Sequence, residues 1–294
     1  MIRYPISSAE LKNNINSLKP RWLKKAKEKT ARFRRVRRYD ETRGTWRQIK
    51  DVYMSLQLGK CAYCERKIEG RIENDIEHYR PKSAVLTWPT ESMVERGTPY
   101  SFPTGGNDAN GYYLLAYNIF NYVASCKSCN SRSLKGNYFP IAGPSRVLYS
   151  TVANKLRDES PFLLYPLGDI DEDDPEELIT FEGITPIPNP AITNPHKRNR
   201  ALITIDILEL HKRELLLRER ANIIAILYMA YERQAGFPNT SPEYEKCREM
   251  IEVALSPSSP HTNCARSFYW TLENNMDTAE AYHLAAVQYL RGVR

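Results

Sequence analysis

The chain has 294 residues, of which 41% are apolar, and it carries a formal net charge of +7. This length permits one large domain or two ordinary ones, and the apolar fraction is enough for a buried core. No secretory signal opens the sequence, and the richest apolar run, 221–231, is about half the length of a membrane-spanning helix. We therefore expect a cytoplasmic protein that does not enter the membrane.

Short predicted elements fill the first half of the chain. In order they are a helix over 11–29, a helix over 43–58, a strand over 71–78, a loop-rich insertion over 82–111, and a helix beginning at Cys129. Apolar periodicity predicts the first two helices. The insertion is rich in Pro, Gly, Ser, Thr and Asn and longer than an ordinary connection, which indicates a functional or mobile loop. The helix after Cys129 is expected to carry Asn130, Arg132 and Lys135 on its polar face.

The second half is predicted to combine short strands with long helices. The elements are strands at 161–166 and 178–181, a rigid proline-rich linker at 185–195, and helices over 197–234, 242–255 and 267–291, the last interrupted near Asn274. The whole chain is therefore predicted to be α+β and mainly helical. Its predicted segments are a basic helical region, 1–58, a central core, 59–145, a connection with strands, an acidic loop and the linker, 146–195, and a helical region, 196–294.

Two Cys-x-x-Cys pairs form the most specific motif. Cys61 and Cys64 make the first pair, and Cys126 and Cys129 make the second. Two such turns supply the four sulfur ligands that a closed tetrahedral zinc site requires. Disulfides and ordinary core thiols are the alternatives. We favour structural zinc because the spacing recurs and because no βαβ pattern of a thioredoxin-like redox motif accompanies it.

The sequence Ile76-Glu-His-Tyr-Arg-Pro-Lys82 lies between the two cysteine pairs. His78 precedes a proline that ends the predicted strand, so its imidazole is expected to reach solvent and to act as a general base. Glu77 and Asn130 offer hard oxygen ligands for a divalent cation, which would neutralise charge on a phosphate. The alternative is a purely structural histidine. The neighbouring carboxylate, the proline and the cysteine pairs favour phosphodiester hydrolysis instead.

At these residues the chain resembles the HNH endonuclease family. The resemblance implies a zinc-stapled ββα-metal core with Glu77 and the base His78 on the first strand. It also implies that Asn121 is a structural asparagine that pins the loop behind it, and that Asn130 completes the catalytic metal site on the helix. Asparagine in place of the family's histidine at that last position favours magnesium or manganese over zinc or nickel.

A narrower resemblance covers roughly residues 46–230. The motifs Cys126-Lys-Ser-Cys-Asn130, Lys135-Gly136 and Pro161-Phe-Leu-Leu-Tyr-Pro166 are similar to those of the PtuB-type nucleases of Septu and retron defence systems. Members of that group act against phage beside an ABC or RecF-like ATPase. The resemblance therefore implies an antiphage role and an ATPase of that kind as the partner.

Positive charge indicates where nucleic acid would bind. The segment 21–38 contains ten Lys or Arg residues and one acid, which is typical either of a solvated helix face or of a phosphate-binding arm. We favour the arm because a candidate nuclease centre follows it. The predicted nucleic-acid contacts are Arg34, Arg35, Arg37, Arg38, Arg80, Lys82, Arg132 and Lys135. DNA is the favoured substrate, and RNA such as tRNA stays open.

Two functions without catalysis remain as alternatives. A zinc-stabilised nucleic-acid-binding protein would show the same cysteines and basic residues but would not need Glu77, His78 and Asn130. An assembly subunit would use the helical second half of the chain as its main surface.

Overall fold

A computed structural model describes residues 1–70, 72–95 and 100–292. The fold is α+β and mainly helical, with two small antiparallel sheets, and this confirms the fold class predicted from the sequence. The chain divides into two compact units. The N-terminal unit comprises Arg3–Ala62 and Ile68–Asp173, and the C-terminal unit comprises Met1–Ile2, Tyr63–Lys67 and Asp174–Arg294. The division after Asp173 falls inside the segment that was predicted to be a connection.

Irregular structure is abundant in the N-terminal unit. Its elements are α1 (Ser8–Leu18), α2 (Trp22–Val36), α3 (Lys50–Leu56), β1 (Asn74–His78), α4 (Glu91–Glu95), β2 (Tyr122–Cys126) and α5 (Ala153–Arg157). Three short 3-10 turns, Trp46–Ile49, Tyr113–Leu115 and Ile119–Asn121, connect them. Strands β1 and β2 pair antiparallel, with Glu77 opposite Val123 and His78 opposite Tyr122. The predicted strand over 71–78 is therefore confirmed in its second half; Arg71 lies outside the described residues.

The single helix predicted over 11–29 is two helices. Pro20 lies between α1 and α2, where it cannot continue the backbone hydrogen-bond ladder of a helix. In α2 the apolar side chains of Trp22, Ala26 and Phe33 are buried, while the arginines near its C-terminal end are exposed. The apolar face of α2 therefore packs against the core of the unit, and the basic face is exposed to solvent.

The prediction of a helix beginning at Cys129 is wrong. From Lys127 to Asn137 the chain forms successive turns instead. One backbone hydrogen bond, from Asn130 N–H to the Cys126 carbonyl at 3.1 Å, spans four residues. The bonds that follow span three, as in Leu134 N–H to Ser131 C=O at 3.2 Å and Tyr138 N–H to Lys135 C=O at 2.8 Å. An α-helix needs bonds that span four residues. Lys135, which the prediction placed on an exposed face, is fully buried here.

Regular helices dominate the C-terminal unit. Its elements are α6 (Pro175–Leu178), β3 (Ile179–Glu182), β4 (Thr185–Pro188), α7 (Pro195–Ile207), α8 (Glu214–Ala235), α9 (Pro242–Leu255), α10 (Thr262–Asn274) and α11 (Met276–Leu290). Helix α8 packs against both α9 and α11. Apolar side chains such as Ile203, Ile224 and Leu227 are buried within the unit. No helix in the described part of the chain is both long and apolar enough to cross a membrane.

Three predicted features of the second half are wrong. The helix predicted over 197–234 is two helices, α7 and α8, which are separated by the turns at 208–213. The proline-rich segment after Thr185 begins as strand β4, which pairs with β3 so that Ile179 lies opposite Pro188. Both strands of a two-stranded sheet are edge strands, and proline is tolerated on an edge strand because it has no N–H to donate there. The strand predicted at 161–166 contributes only one isolated bridge, between Ile141 and Pro161.

The insertion over 82–111 is anchored to the rest of its unit, apart from 96–99, which lie outside the described residues. Val85 and Asp108 form an antiparallel bridge. The Asp108 carboxylate accepts backbone N–H bonds from Asn110 at 2.8 Å and from Gly111 at 2.6 Å. Gly111 has a φ of 56°, and a Cβ there would lie 1.3 Å from the Ser83 carbonyl oxygen. Only glycine fits at this crossing of the chain.

We predict that Gly111→Ala lowers the free energy of unfolding by about 2–5 kcal/mol, because it adds both left-handed backbone strain and a steric clash. Denaturant unfolding followed by tryptophan fluorescence measures the loss. Gly106→Ala is the matched control, since its Cβ would meet no atom within 4 Å and its φ is not positive. Equal stability of the two variants would contradict the close approach of Gly111 to Ser83.

Candidate active site and metal centre

A cavity of about 610 Å³ opens in the N-terminal unit beside the end of β1. Its wall includes Glu77, His78, Lys82, Asn130 and Arg132. Residues from the strand, from the turn after it and from the turns after β2 therefore meet at one place. The pairing of β1 with β2 causes this meeting, because it holds the two stretches of chain side by side.

His78 is buried in the wall of the cavity, and its imidazole is held on several sides. Its Nε2 lies 3.1 Å from the Ala116 carbonyl oxygen. The rings of Trp46 and Tyr122 meet the imidazole edge-on at centroid distances of 4.6 Å and 5.0 Å. A carbonyl oxygen can only accept a hydrogen bond, so we assign the proton to Nε2 and the lone pair to Nδ1.

Burial lowers the pKa of His78 well below its usual value, and the positive charge of Lys82 acts in the same direction. The hydrogen bond to Ala116 opposes this fall. The imidazole is therefore neutral near pH 7, which is the state that can accept a proton. The expectation that this side chain reaches solvent freely does not hold, since only 5% of the residue is exposed.

Glu77 forms a buried ion pair with Lys135. The Lys135 Nζ lies 2.5 Å from Oε1 of Glu77 and donates a hydrogen bond of 2.7 Å to the backbone carbonyl of His78. Burial raises the pKa of Glu77, and the charge of Lys135 opposes that rise. Burial also lowers the pKa of Lys135, against the attraction of Glu77. One ammonium thus ties together the carboxylate and the backbone of the histidine.

Lys82 places a second cation at the cavity. Its Nζ lies 5.0 Å from the ring centroid of Trp46 and 5.4 Å from that of Tyr39, within the range of cation–π attraction. Burial lowers the pKa of Lys82, while the charge of Glu77 opposes this. Arg132 lies on the same wall and is exposed. These cations give the cavity a positive character that suits an anionic group.

Asn121 lies outside the cavity wall and clamps the chain that follows His78. Its Oδ1 accepts the Arg80 N–H at 2.8 Å, and its Nδ2 donates to the Arg80 carbonyl at 2.9 Å. A third bond runs from Nδ2 to the Leu115 carbonyl at 3.3 Å. These are the contacts that a loop-pinning asparagine makes.

Arg80 and Lys135 need correction as predicted nucleic-acid contacts. The Arg80 guanidinium is buried, with Nε 3.0 Å from Glu159 Oε2 and Nη2 2.9 Å from the Leu156 carbonyl. Lys135 is buried against Glu77. Both cations are held inside the unit because an unpaired buried carboxylate would cost several kcal/mol. A phosphate at the surface cannot reach either of them.

The other predicted cations remain available to a ligand. The exposed arginines at the end of α2 are Arg34, Arg35, Arg37 and Arg38. They do not belong to the cavity wall. Nucleic-acid contact by these four residues, and by Lys82 and Arg132, stays a prediction.

The oxygen atoms of the cavity have the chemistry of a hard-cation site. Glu77 and Asp75 bring carboxylates to the wall, and Asn130 brings an amide oxygen. Such ligands suit magnesium or manganese. A carboxylate has about four lone-pair sites, so binding of Lys135 at one oxygen of Glu77 leaves capacity for a further ligand. The residues therefore fit a divalent cation, with Lys135 as a neighbour of it.

The four cysteines of the two Cys-x-x-Cys pairs come together, as the sequence predicts. The sulfur atoms of Cys61, Cys64, Cys126 and Cys129 all lie within 4.8 Å of one another, and all four residues are buried. They form no disulfide. Four sulfurs at about 2.3 Å from a zinc ion would lie roughly 3.8 Å apart, so small movements would close the site. This buried cluster can hold a structural metal such as zinc.

Backbone amides already face two of these sulfurs. The Cys126 N–H points to the sulfur of Cys61 at 3.3 Å, and the Cys129 N–H points to the sulfur of Cys126 at 3.5 Å. Donors of this kind stabilise thiolates and orient them for a metal. The hydrogen bonds therefore support a metal role over a role as ordinary core thiols.

Several residues of the site carry no sequence signal of their role. Trp46, Tyr122 and the Ala116 carbonyl surround His78, and their own segments show only apolar periodicity or turn residues. Lys135 is distinguished in the sequence only as part of a Lys-Gly motif. Gly136, which follows Lys135, is the local sequence sign of a sharp turn here. Its φ of 35° lies in the left-handed region that favours glycine.

Comparison with known proteins identifies one relative. Over 177 residues, which are 60% of this chain, the sequence is 33% identical to the Septu protein PtuB of Bacillus mycoides (strain KBAB4). The aligned part is 50% of that protein, so the chain spans about half the length of the relative that it matches. No family model and no solved structure matches the chain.

We predict that the purified protein contains zinc in about equimolar amount and that Cys126→Ser loses it, together with solubility and thermal stability, because three ligands hold a structural zinc ion poorly. Elemental analysis and thermal unfolding measure both effects. Cys247→Ser is the matched control, as Cys247 is buried but lies outside the cluster. Folded protein without metal would contradict the prediction.

Proposed function

We propose that this protein is a metal-dependent HNH endonuclease that hydrolyses phosphodiester bonds in nucleic acid. The observation that carries the proposal is the meeting of a buried histidine, a carboxylate and an asparagine in one cavity that Lys82 and Arg132 also line. The buried four-cysteine cluster beside β2 supports it, since the same combination is what the resemblance to HNH enzymes implies.

In this proposal His78 is the general base. Its Nε2 is engaged by the Ala116 carbonyl, so the Nδ1 lone pair is the atom that accepts a proton from the attacking water. The edge-on rings of Trp46 and Tyr122 limit rotation of the imidazole. Fixed orientation favours catalysis because the base need not be reoriented during the reaction.

Glu77 and Asn130 would hold the catalytic magnesium or manganese ion. When bound, the ion stabilises negative charge on the phosphate and on the leaving oxygen. Lys135 keeps the Glu77 carboxylate in place through its Oε1. Lys82 and Arg132 bind phosphate oxygens at the wall of the cavity, which positions the scissile bond near the base.

We predict that His78→Ala lowers the rate of cleavage by about a hundredfold or more, as expected for the loss of a general base. Plasmid, single-stranded DNA and tRNA in magnesium or manganese are the substrates to compare. Affinity for the substrate should be retained. His211→Ala, in the C-terminal unit, is the matched control. A wild-type rate for His78→Ala would move the role of base to Asp75, which lines the same cavity.

A binding or assembly subunit without catalysis is the second candidate. The burial of His78 and the ion pair of Glu77 with Lys135 favour it, since both reduce the access of substrate and metal. Wild-type protein that binds nucleic acid but cleaves none of the three substrates would establish this alternative.

We further propose that the protein serves in antiphage defence together with an ABC or RecF-like ATPase. The likeness to a Septu protein supports this. The C-terminal unit offers a surface for such a partner, because eight large apolar side chains on its described helices are 40 to 66% exposed. These residues are Leu215, Ile226, Met229, Met250, Val253, Trp270, Met276 and Leu284.

We predict that the protein co-elutes with the ATPase encoded by a neighbouring gene and that Trp270→Ala weakens the complex by about 30-fold, since exposed tryptophans often dominate interfaces. Size-exclusion chromatography and a titration measure the complex. Ile72→Ala is the matched control, because Ile72 is 80% exposed in the N-terminal unit. Separate elution at micromolar concentration would contradict a stable complex.

A further inference from the structure

An exposed aromatic ring lies beside the basic end of α2. Tyr149 is 73% exposed, and its ring meets that of Tyr113 edge-on at a centroid distance of 6.3 Å. Tyr113 belongs to the 3-10 turn that packs on α2. Neither tyrosine lines the cavity of the candidate active site. The ring of Tyr149 therefore offers an apolar face to solvent that the catalytic proposal does not use.

Two arginines at the C-terminal end of α2, the helix on which the turn of Tyr113 packs, act electrostatically on Tyr113. Burial and the neighbouring Tyr149 raise the pKa of Tyr113, and the charges of Arg37 and Arg34 oppose that rise. Both arginines are exposed. Arg37 closes α2 with a bond of 2.7 Å from its N–H to the Phe33 carbonyl. The patch thus combines one open aromatic ring with two cations on a well-formed helix end.

The loop that carries Tyr149 is anchored to the rest of the unit on its N-terminal side. Before it, the Val147 N–H donates to Glu159 Oε1 at 2.6 Å, and the Arg146 guanidinium donates to the Phe139 carbonyl at 2.7 Å. After it, the Val152 N–H donates to the Ser150 hydroxyl at 3.1 Å. Anchoring on the N-terminal side reduces the entropy that the loop would lose on binding.

Two connections run from the patch to the segment of His78. The second oxygen of Glu159 holds Arg80, two residues after His78. The turn that begins at Tyr113 ends at Ala116, whose carbonyl accepts from His78 Nε2. Three residues of a 3-10 turn span only about 6 Å. The patch is therefore connected to the segment that carries the proposed base, through Glu159 and through this turn.

We propose that Tyr149, Arg34 and Arg37 form a binding site for an unpaired nucleotide, with the base stacked on Tyr149 and its phosphates bound by the two arginines. This inference rests on the proposed function and narrows its substrate to nucleic acid with a single-stranded stretch. Stacking on an aromatic ring with backbone neutralisation by cations is how proteins bind single strands with little sequence preference. In a duplex the base faces are covered by their neighbours and cannot stack on Tyr149.

Binding is measured in the His78→Ala background, which removes cleavage from the experiment. The probes are oligothymidylate, oligouridylate and a blunt DNA duplex, each followed by fluorescence anisotropy over a range of salt concentrations. We expect Tyr149→Ala to weaken single-strand binding by about 5- to 150-fold. Duplex binding should stay within about twofold. Tyr149→Phe, which keeps the ring, should restore single-strand affinity and is the matched variant.

The arginines are tested separately. Arg34→Gln combined with Arg37→Gln should reduce the slope of log affinity against log salt by roughly 1.4 for single strands, or about 0.7 for each phosphate that is no longer neutralised. Lys12→Gln with Lys246→Gln is the control for removal of two exposed charges. Comparison of oligothymidylate with oligouridylate tells whether the site prefers DNA or RNA.

Three outcomes would overturn the nucleotide site. They are unchanged single-strand affinity in Tyr149→Ala, an equal loss on duplex and single strands, and a loss of ATPase binding in place of nucleic-acid binding. If wild-type protein cleaves substrate but Tyr149→Ala binds single strands normally, the nucleotide site alone fails. If the Tyr149 effect is present but no substrate is cleaved, the endonuclease proposal alone fails.

Discussion

The antiparallel pairing of β1 with β2 is the constraint on which the N-terminal unit depends. Its register sets Cys126 opposite Asn74 and Tyr122 opposite His78. The cysteine cluster therefore meets one end of this two-stranded ribbon, and the cavity meets the other. A two-stranded ribbon is only marginally stable by itself. The buried cysteine cluster at one end and the packed rings of Trp46 and Tyr122 at the other support the ribbon.

Buried charge is concentrated around the last residues of β1 and the turn that follows. Glu77 pairs with Lys135, and Arg80 pairs with Glu159. Such pairs add little net stability, because the cost of desolvation offsets their attraction, yet removal of one partner costs about 3–5 kcal/mol. Both pairs hold the backbone on either side of the His78 carbonyl. We infer that the main effect of the two ion pairs in this unit is to fix the conformation of the backbone around His78.

The two units are built by different means. The N-terminal unit has short elements, turns and many aromatic rings, and it carries every residue of the candidate active site. The C-terminal unit consists mainly of regular helices, which bury apolar side chains in their core and expose several large apolar ones. Functional side chains commonly lie on irregular segments that a rigid framework holds in place. That division is consistent with chemistry in one unit and association through the other.

Features of this protein that depend only on neighbouring residues could be predicted from its sequence. Each Cys-x-x-Cys turn, the strand that ends before Pro81, and the helical character of the chain after Pro195 follow from local spacing and periodicity, whereas the break after Ile207 does not. The clustering of the two cysteine pairs was also predictable, because two Cys-x-x-Cys turns together are typical of a four-cysteine zinc site. Local patterns were sufficient wherever the physical cause is local.

Other features depend on contacts between residues far apart in the sequence and could not be predicted from local patterns. Lys135 was predicted on a helix face, but a buried carboxylate distant in sequence draws its ammonium inward, and the chain forms turns instead of a helix. Arg80 is a surface cation by its sequence neighbourhood and becomes the buried partner of Glu159. The prolines after Thr185 resemble a linker until β3 pairs with them. In each case a partner far along the chain sets the conformation, and the energy of that contact exceeds the local preference.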